Sequence, residues 1–461
     1  MTLLSRALYY WRGFASGSVN HRILYAMTVI MAGTFAVKVA AVVKDIFIAG
    51  TFGLADELDA FLIALVIPLF AIIVLAQSFS GSFMPVYIRT REREGHHAAR
   101  RLFAHAMVLN FLILLAFTGL LAAAGMPLLK VIASQFSEEK RELAYRLYLL
   151  LLPLLVIEGQ LSVWGAVLNA GEKFALVALS PVLRPLIVIA FLLFAGSQGV
   201  DIRAVAWATV AGCAAELAAV GYALLRRGLL PVPRWSGTNQ SEKDVVKQYL
   251  PLVMSAMLMS SSSVIDQAMA AWLGPGSVSA LNYGNKIPAF LAGMGATALG
   301  TAVLPHFSRL VVLGDIVSLR HTIKTYTRWI LAISVPCAVL FIAGSEWIVK
   351  LLYERGAFRP EDTVIVARIQ QMYLLQVPFF VVGILAVRVL LAMSKNHLLT
   401  LMSVINLVVN VIGNIVFMRW FGVSGIALST SLVYVVSMIM ILIFVARTLG
   451  ELERTGRGQR Q

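Results

Sequence analysis

The feature that most constrains this chain is a set of long stretches that contain no charged residue. They include residues 111–124, 147–157, 186–195, 398–418 and 432–445. Each lies in an apolar segment of about 20 residues, the length at which an α-helix crosses the hydrocarbon core of a bilayer. Charged residues make up only 13% of the chain, against about 25% in soluble domains. The sequence therefore predicts an all-α polytopic membrane protein with almost no soluble domain.

Twelve such segments can be placed along the chain. They are residues 23–50, 58–86, 102–125, 143–170, 174–196, 203–225, 246–273, 277–306, 326–345, 364–394, 398–419 and 423–447. We expect the first six to form an N-lobe at 23–225 and the last six a C-lobe at 246–447. A segment at 1–22, a linker at 226–245 and a tail at 448–461 are expected in the cytosol. The first helix is too long for the apolar core of a signal peptide and carries charges, so we expect it to be retained.

The net charge of +15 could indicate a nucleic-acid-binding protein, but the distribution of basic residues favours another explanation. They gather in short loops between apolar segments, as at 89–101 and 226–247, rather than on one soluble face. Lysine and arginine mark the cytosolic loops of membrane proteins. With the amino terminus inside, the acidic or mixed loops at 56–57, 137–141 and 354–362 fall outside. We therefore expect a bacterial-type plasma membrane, both termini in the cytosol and no nucleic-acid partner.

An internal repeat indicates that the two lobes share one architecture. Four residues recur 220 positions further on, namely Ala60, Ile67, Pro68 and Pro85 at Ala280, Ile287, Pro288 and Pro305. Tyr148 and Pro153 recur 225 positions further on, at Tyr373 and Pro378. Because six is an even number of spans, both copies face the same way in the membrane. We therefore predict two parallel six-helix lobes around a central cavity.

Several charges fall well inside the predicted spans, where a charge near the bilayer centre costs roughly 2.5–3.5 kcal/mol. The cations are Lys38, Lys44, Arg184, Lys286 and Arg388. The acids that could pair with them are Asp45, Asp59, Glu158, Glu216 and Asp266. Pairing or snorkelling is one explanation for these cations, and a cavity that binds an anionic ligand is the other. The residues alone leave both open.

Two patterns place polar groups on one face of a helix. Lys38 and Asp45 are seven residues apart and so share a face of the first helix, whereas Lys44 points elsewhere. The eleventh helix carries an asparagine every four residues, at Asn406, Asn410 and Asn414. Hydrogen bonding between helices is the first explanation for such a stripe, and a binding site is the alternative.

The sequence lacks the motifs of nucleotide hydrolysis and of metal binding. No Gly-Lys dipeptide of a phosphate-binding loop occurs, and His96 and His97 lack metal-ligand spacing. We therefore expect no ATP hydrolysis, no metal site and no cofactor.

Three blocks of sequence resemble the MurJ/MviN family of lipid II flippases, in the order and spacing of that family. The first comprises Lys44-Asp45, Phe52-Gly53, Asp59-Ala60-Phe61, Ile67-Pro68 and residues 82–86. The second runs from Val264-Ile265-Asp266 through residues 276–283 to Val303-Leu304-Pro305. The third comprises residues 353–358 and the following Asp362-Thr363. The resemblance covers nearly the whole chain.

This resemblance implies the fold of the multidrug/oligosaccharidyl-lipid/polysaccharide exporters, with a cationic cavity that binds a lipid-linked sugar diphosphate. Alternating access would carry the headgroup outward. Cavity arginines of the family fall on Lys38, Lys44 and Lys286, so the charge is kept while the planar fork of arginine is lost. Supporting or coupling roles, with coupling to a cation or to the membrane potential, are expected for Asp45, Asp59, Asp266 and Arg388.

The chain departs from the family in ways that bear on its substrate. A family arginine aligns with Ile72, and a nearby family glutamate aligns with Gln77. Lipid II flippases also carry two further helices that form a groove for the lipid tail, whereas this chain is predicted to stop at twelve. A flippase for exopolysaccharide precursors, acting on another polyprenyl-diphosphate sugar, is therefore an alternative to a lipid II flippase.

Two other classes of protein deserve comparison with the flippase interpretation. A drug or cation antiporter of the same fold would depend on acids more than on lysines. A membrane glycosyltransferase would use acids on an outside loop, such as Asp56, Glu57 and Asp59, but the outside loops are too short for a sugar-transfer domain. We therefore expect transport rather than catalysis, with a lipid-linked sugar diphosphate and membrane lipids as partners.

Overall fold

The computed structural model describes residues 19–171, 173–195, 200–229, 240–393 and 395–458. These residues are almost entirely helical and contain no β-strand, which confirms the predicted all-α class. The α-helices in this part of the chain are α1 (Val19–Phe52), α2 (Asp56–Ala71), α3 (Ser78–Glu94), α4 (His96–Ile132), α5 (Glu138–Leu151), α6 (Pro153–Ala170), α7 (Phe174–Leu179), α8 (Leu183–Ala195), α9 (Ile202–Arg226), α10 (Gln240–Ala271), α11 (Ser277–Val312), α12 (Ile316–Ala343), α13 (Ser345–Tyr353), α14 (Pro360–Leu374), α15 (Gln376–Ala392), α16 (Asn396–Phe421) and α17 (Val423–Gly458). A π-helical segment, Ile72–Gln77, joins α2 to α3, and a 3-10 turn, Ser180–Val182, joins α7 to α8.

Nine helical stretches of the described residues are long and apolar enough to cross a membrane. They are Asp56–Glu94, His96–Ile132, Glu138–Ala170, Phe174–Phe194, Ile202–Arg226, Ile316–Ala343, Pro360–Ala392, Leu398–Phe421 and Val423–Glu451. The other predicted spans, 23–50, 246–273 and 277–306, coincide with the long helices α1, α10 and α11. The chain is therefore an all-α multi-pass membrane protein, and a total of twelve spans is consistent with these helices.

The helix predicted at 58–86 contains a turn that the sequence pattern does not reveal. Pro68 lies inside α2 and has no backbone N–H to donate. The π-helical segment Ile72–Gln77 begins four residues later. Its Ala76 carbonyl accepts a hydrogen bond from Ser162 Oγ on α6 at 3.1 Å. Because π-helical turns inside α-helices are frequent at functional sites, this segment is a candidate part of the predicted cavity wall.

The described chain divides into two compact units. The first contains the described residues up to Phe47 together with 67–126 and 146–256, and the second contains 48–66, 127–145 and the residues from Met257 onward. Two segments of the first half of the chain thus belong to the second unit. The lobe boundaries at 23–225 and 246–447 stay a prediction. The predicted segments 1–22, 226–245 and 448–461 lie partly outside the described residues.

Each unit has its own apolar core. In the first unit, the buried rings of Phe79, Phe83 and Phe103 bring α3 and α4 together, and the Phe83 and Phe103 centroids are 6.4 Å apart. Aromatic rings bury large apolar areas, so this core fixes the two helices against each other. In the second unit α15 is central, since Val382 and Leu385 are buried and α15 packs against α11, α12 and α17.

Candidate substrate-binding site

Two of the three lysines expected at the diphosphate lie on α1, in the first unit. Lys44 Nζ lies 3.1 Å from Asp45 Oδ1, with the two side chains 29% and 9% exposed. The long, flexible stem of lysine lets its ammonium reach the neighbouring carboxylate although the two residues start on different faces of the helix, so Lys44 shows the pairing that the sequence left open. Lys38 is half-buried and, within the described residues, makes no ion pair. Seven helical residues separate it from Asp45 by about 10 Å, so a shared face does not bring these two charges into contact.

The other cations expected in the cavity, Lys286 and Arg388, belong to the second unit. Lys286 lies on α11 and Arg388 on α15, both are half-buried, and the two helices pack together. Arg388 Nε is buried and, in the described part of the chain, has no hydrogen-bond partner. An unmade bond of a buried charged group costs free energy, so a ligand that supplied an acceptor would stabilise it. The convergence of Lys38, Lys44 and Lys286 on one diphosphate stays a prediction.

Asp59 is completely buried at the start of α2 and is held by four donors. Its Oδ1 accepts hydrogen bonds from the Ser279 backbone N–H at 2.8 Å and from Ser279 Oγ at 2.6 Å. Its Oδ2 accepts from the Gly276 N–H at 2.7 Å and from Lys140 Nζ at 3.1 Å. The first N–H groups of a helix have no partner within it and favour a negative charge. Asp59 therefore caps α11 from a segment more than two hundred residues earlier in the chain.

The backbone at Gly276 makes this cap possible. Its φ of 75° lies in the left-handed region, which a glycine adopts without steric cost. A Cβ at this position would also lie 2.9 Å from the Leu54 carbonyl oxygen. Glycine is therefore required both by the conformation and by the close approach of the segment that carries Asp59.

Lys140 completes this cluster. Its side chain is only 9% exposed, its ammonium also pairs with Asp56, and it lies 4.1 Å from the centre of the Phe136 ring. A cation over an aromatic face is attracted by the ring quadrupole. Sequence reasoning identified Asp59 but neither Lys140 nor Ser279. One signal was present, because Ser279 lies 220 positions after Asp59 and is its counterpart in the internal repeat.

Asp266 on α10 is the other buried acid of the second unit, and its donors are neutral. Oδ1 accepts from Asn410 Nδ2 at 3.0 Å and from Asn414 Nδ2 at 2.7 Å. Oδ2 accepts from Thr430 Oγ1 on α17 at 3.3 Å. Asn406, the third member of the stripe, donates to Ser437 on α17 at 3.3 Å. The asparagines thus bond between helices, one of the two explanations left open by the sequence, and two of them converge on a carboxylate.

Arg184 on α8 has a structural role in the first unit. Its guanidinium bonds both Glu158 on α6 and Glu216 on α9. Ser180 Oγ donates to Glu216 at 2.9 Å, and Cys213 Sγ lies 3.7 Å from Glu158. For Arg184 the structure favours pairing over ligand binding, since a charge held by two carboxylates is already compensated.

The two positions that depart from the family lie at the ends of the π-helical segment. Ile72 begins it and is buried, whereas Gln77 ends it and is exposed. The two side chains therefore coincide with an irregular turn of the helix, and both belong to the first unit.

Fold and intramembrane charges together define the class of this protein as an all-α multi-pass membrane protein with charged residues inside its helices. The fold is similar to a solved structure described as the inward-facing conformation of a multidrug resistance MATE family transporter of the MOP superfamily. That match has a TM-score of 0.76 and 16% identity, and covers 93% of this chain and 99% of the other. A structure of the lipid II flippase MurJ in an inward closed conformation matches with a TM-score of 0.75 and 22% identity over 91% of this chain and 87% of that one. At these identities the likeness establishes the fold alone.

The family follows from sequence. The family described as lipid II flippase MurJ matches residues 48–457, and the chain belongs to it. A probable lipid II flippase MurJ of Buchnera aphidicola subsp. Baizongia pistaciae is 26% identical over 87% of this chain and 79% of its own length. The Thermotoga maritima protein of the same description is 26% identical over 89% of this chain and 82% of its own. The resemblance identified from the sequence is thus confirmed.

Proposed function

We propose that this protein is a flippase that carries the headgroup of a lipid-linked sugar diphosphate across the plasma membrane by alternating access. The observation that supports this most strongly is the family match over residues 48–457. Curated members of the family are described as lipid II flippases. Translocation of a lipid needs no bond to be made or broken in the substrate, so we assign the chain no catalytic step and no cofactor.

In this proposal the diphosphate is bound by Lys38, Lys44 and Lys286. One ammonium about 4 Å from a phosphate charge contributes roughly 4 kcal/mol at an effective dielectric constant of about 20, before desolvation is subtracted. Lys44 would exchange Asp45 for the substrate, whereas Lys38 needs no such exchange. Arg388 supports the site with its unused Nε–H. The apolar tail of the substrate stays in the lipid.

Asp266 is proposed to couple transport to a cation or to the membrane potential. It lies within a predicted span, and only neutral donors contact it in the described residues. When ionised, such a carboxylate has no charged partner in a low-dielectric environment, so both an approaching cation and an electric field act on it. Asp59, by contrast, is proposed to support the conformation of the segments that it joins.

In this proposal, the residues that bind the diphosphate are not the residues that select the sugar. Lipid II and related polyprenyl-diphosphate oligosaccharides share the diphosphate, so the lysines do not discriminate between them. Ile72 and Gln77 replace an arginine and a glutamate that the family resemblance places there, and these are the positions at which selectivity for the sugar would change. We therefore propose lipid II or a related polyprenyl-diphosphate oligosaccharide as the substrate.

Reconstitution into vesicles with a fluorescent polyprenyl-diphosphate sugar tests the function directly. We expect the wild-type protein to move the label between leaflets. Lys286→Arg should retain part of this activity because the charge remains, whereas Lys286→Gln and Lys286→Ala should lose most of it. Lys395→Gln is the matched control, since it removes the same charge at the start of α16, where Lys395 pairs with Glu451 at 3.9 Å. Transport that survives alanine at Lys38, Lys44 and Lys286 together would remove these residues from the site.

The proposed orientation, with both termini in the cytosol, has a test of its own. In a protein whose Cys213 and Cys337 are replaced by alanine, a single cysteine at Arg93 should resist an impermeant thiol reagent in intact cells. A single cysteine at Glu139 should react. Both residues are exposed and lie near the ends of their helices, so access is limited by the membrane alone. The reverse labelling pattern would overturn the orientation.

A further inference from the structure

A cavity of about 370 Å³ lies in the first unit beside the polar start of α10. Three helices line it with apolar side chains, namely Phe79 on α3, Leu102, Ala106 and Leu109 on α4, and Val245 and Val246 on α10. The polar groups at its wall are His105, Glu242, Lys243 and Lys247. A volume of this size falls at the lower end of the range of about 300–1,000 Å³ found for small-molecule sites.

The acid in the cavity wall is already engaged. His105 Nδ1 on α4 contacts Glu242 Oε1 on α10 in a short hydrogen bond, and both side chains are largely buried. On the neighbouring side of α10, Asp244 pairs with Arg89 at 3.7 Å. The acids of this region thus have cationic or imidazole partners of their own.

Lys243 and Lys247 are the cations that remain. They are four residues apart, so they project from the same face of α10, and both are exposed. Within the described residues neither ammonium makes an ion pair. Two positive charges therefore stand at the edge of an apolar cavity without a negative partner.

Apolar side chains at and beside the cavity are exposed. Val246 lines it and is still 53% exposed, and Leu250, one helical turn further along α10, is 64% exposed. In a membrane protein, an exposed apolar surface of this kind faces the hydrocarbon chains. The predicted topology places the start of α10 at the cytosolic surface, where anionic lipids attract basic residues.

We propose that this cavity binds an anionic membrane phospholipid, with its phosphate between Lys243 and Lys247 and one acyl chain within the apolar lining. A free phosphate would leave the lining in contact with water, and a neutral hydrocarbon would leave both lysines without a partner. An anionic phospholipid fits both parts of the site, because its phosphate pairs with the lysines and its acyl chain covers the apolar lining. The long polyprenyl tail of the proposed substrate exceeds what a cavity of about 370 Å³ holds.

Native mass spectrometry of the detergent-solubilised protein tests this, because lipid retention can be measured without any transport. With equal amounts of phosphatidylglycerol and phosphatidylcholine added, we expect phosphatidylglycerol to be retained preferentially. The double variant Lys243→Gln/Lys247→Gln should bind it about thirtyfold more weakly, since each basic residue near an anionic surface contributes about fivefold. Arg320→Gln/Lys324→Gln on α12 is the control, because it removes two charges at the same spacing from the other unit.

A second variant tests the apolar half of the site. Val246→Trp places an indole ring at an exposed position of the cavity wall. It should also abolish the preference for phosphatidylglycerol over phosphatidylcholine, although both lysines remain. If Val246→Trp retained phosphatidylglycerol as the wild type does, the lipid would be held by surface charge alone and the proposal would be overturned. Equal loss in the α12 control, displacement by inorganic phosphate, or preference for a polyprenyl diphosphate over phosphatidylglycerol would overturn it as well.

Discussion

Asp59 and Asp266 are both buried acids of the second unit, and their charges are stabilised in different ways. Asp59 accepts two backbone N–H groups at the start of α11 and the ammonium of Lys140. In the described part of the chain, Asp266 accepts hydrogen bonds from two side-chain amides and one hydroxyl. The first carboxylate is compensated by an ammonium and a helix terminus, whereas the second has neutral dipoles as its partners among the described residues. We infer that Asp59 stabilises the fold and that Asp266 responds to a cation or to the membrane potential.

The largest expected effect is the loss of stability on replacing Asp59. Asp59→Ala leaves the Ser279 and Gly276 N–H groups buried without acceptors and removes one partner of Lys140, so we expect a cost of about 3–5 kcal/mol. Thermal unfolding in detergent measures it. Asp56→Ala removes the exposed partner of the same lysine and should cost less than about 1 kcal/mol. Equal costs for the two variants would show that Asp59 has no special place in the cluster.

The distinction between these sites could be predicted from the sequence only in part. Asp59, Asp266 and the asparagine stripe stand out because charge inside an apolar run and a four-residue spacing are visible along a single helix. Lys140 does not stand out, because in sequence it is an ordinary charge on an acidic loop. Its burial depends on the contact between the start of α5 and the start of α2, about 80 residues apart in the chain.

The same limitation applied to the cations. Their positions within predicted spans gave Arg184 and Lys286 the same two possible roles, pairing with an acid or binding an anionic ligand, since both lie in apolar runs. Tertiary contacts separate them, because Glu158 and Glu216 come from two helices that meet at Arg184. The pairing of Lys44 with Asp45 was one of the possibilities that the sequence left open, because helix periodicity describes where a side chain starts and not how far lysine reaches.

The second prediction sharpens the role of Asp266. Asp266→Asn removes the charge but leaves an amide oxygen that can still accept from Asn410 or Asn414, so we expect a stability loss of no more than about 2 kcal/mol. Transport in vesicles should continue at a reduced rate and should no longer respond to an imposed cation gradient or membrane potential. Asp315→Asn is the control, because it removes the same charge from the exposed N-cap of α12. A response that persists in Asp266→Asn would place the coupling elsewhere.

The smallest expected effect concerns the repeat. Ser279 is the counterpart of Asp59 at a distance of 220 positions, and the two side chains contact each other at 2.6 Å. At this short distance two carboxylates would repel each other, whereas a carboxylate and a hydroxyl attract.

Removing the hydroxyl tests that account. Ser279→Ala keeps the backbone N–H bond to Asp59 and loses the side-chain bond, so we expect a cost of about 1 kcal/mol in thermal unfolding. Ser279→Asp places two carboxylates together and should cost more than the alanine variant, because like charges in a buried site cannot both ionise freely. Ser403→Ala, which removes a hydroxyl bonded to the Leu399 carbonyl of its own helix at 3.0 Å, should stay within about 0.5 kcal/mol of the wild type. If Ser279→Asp were as stable as the wild type, the charge of Asp59 would not be the reason for a serine at this position.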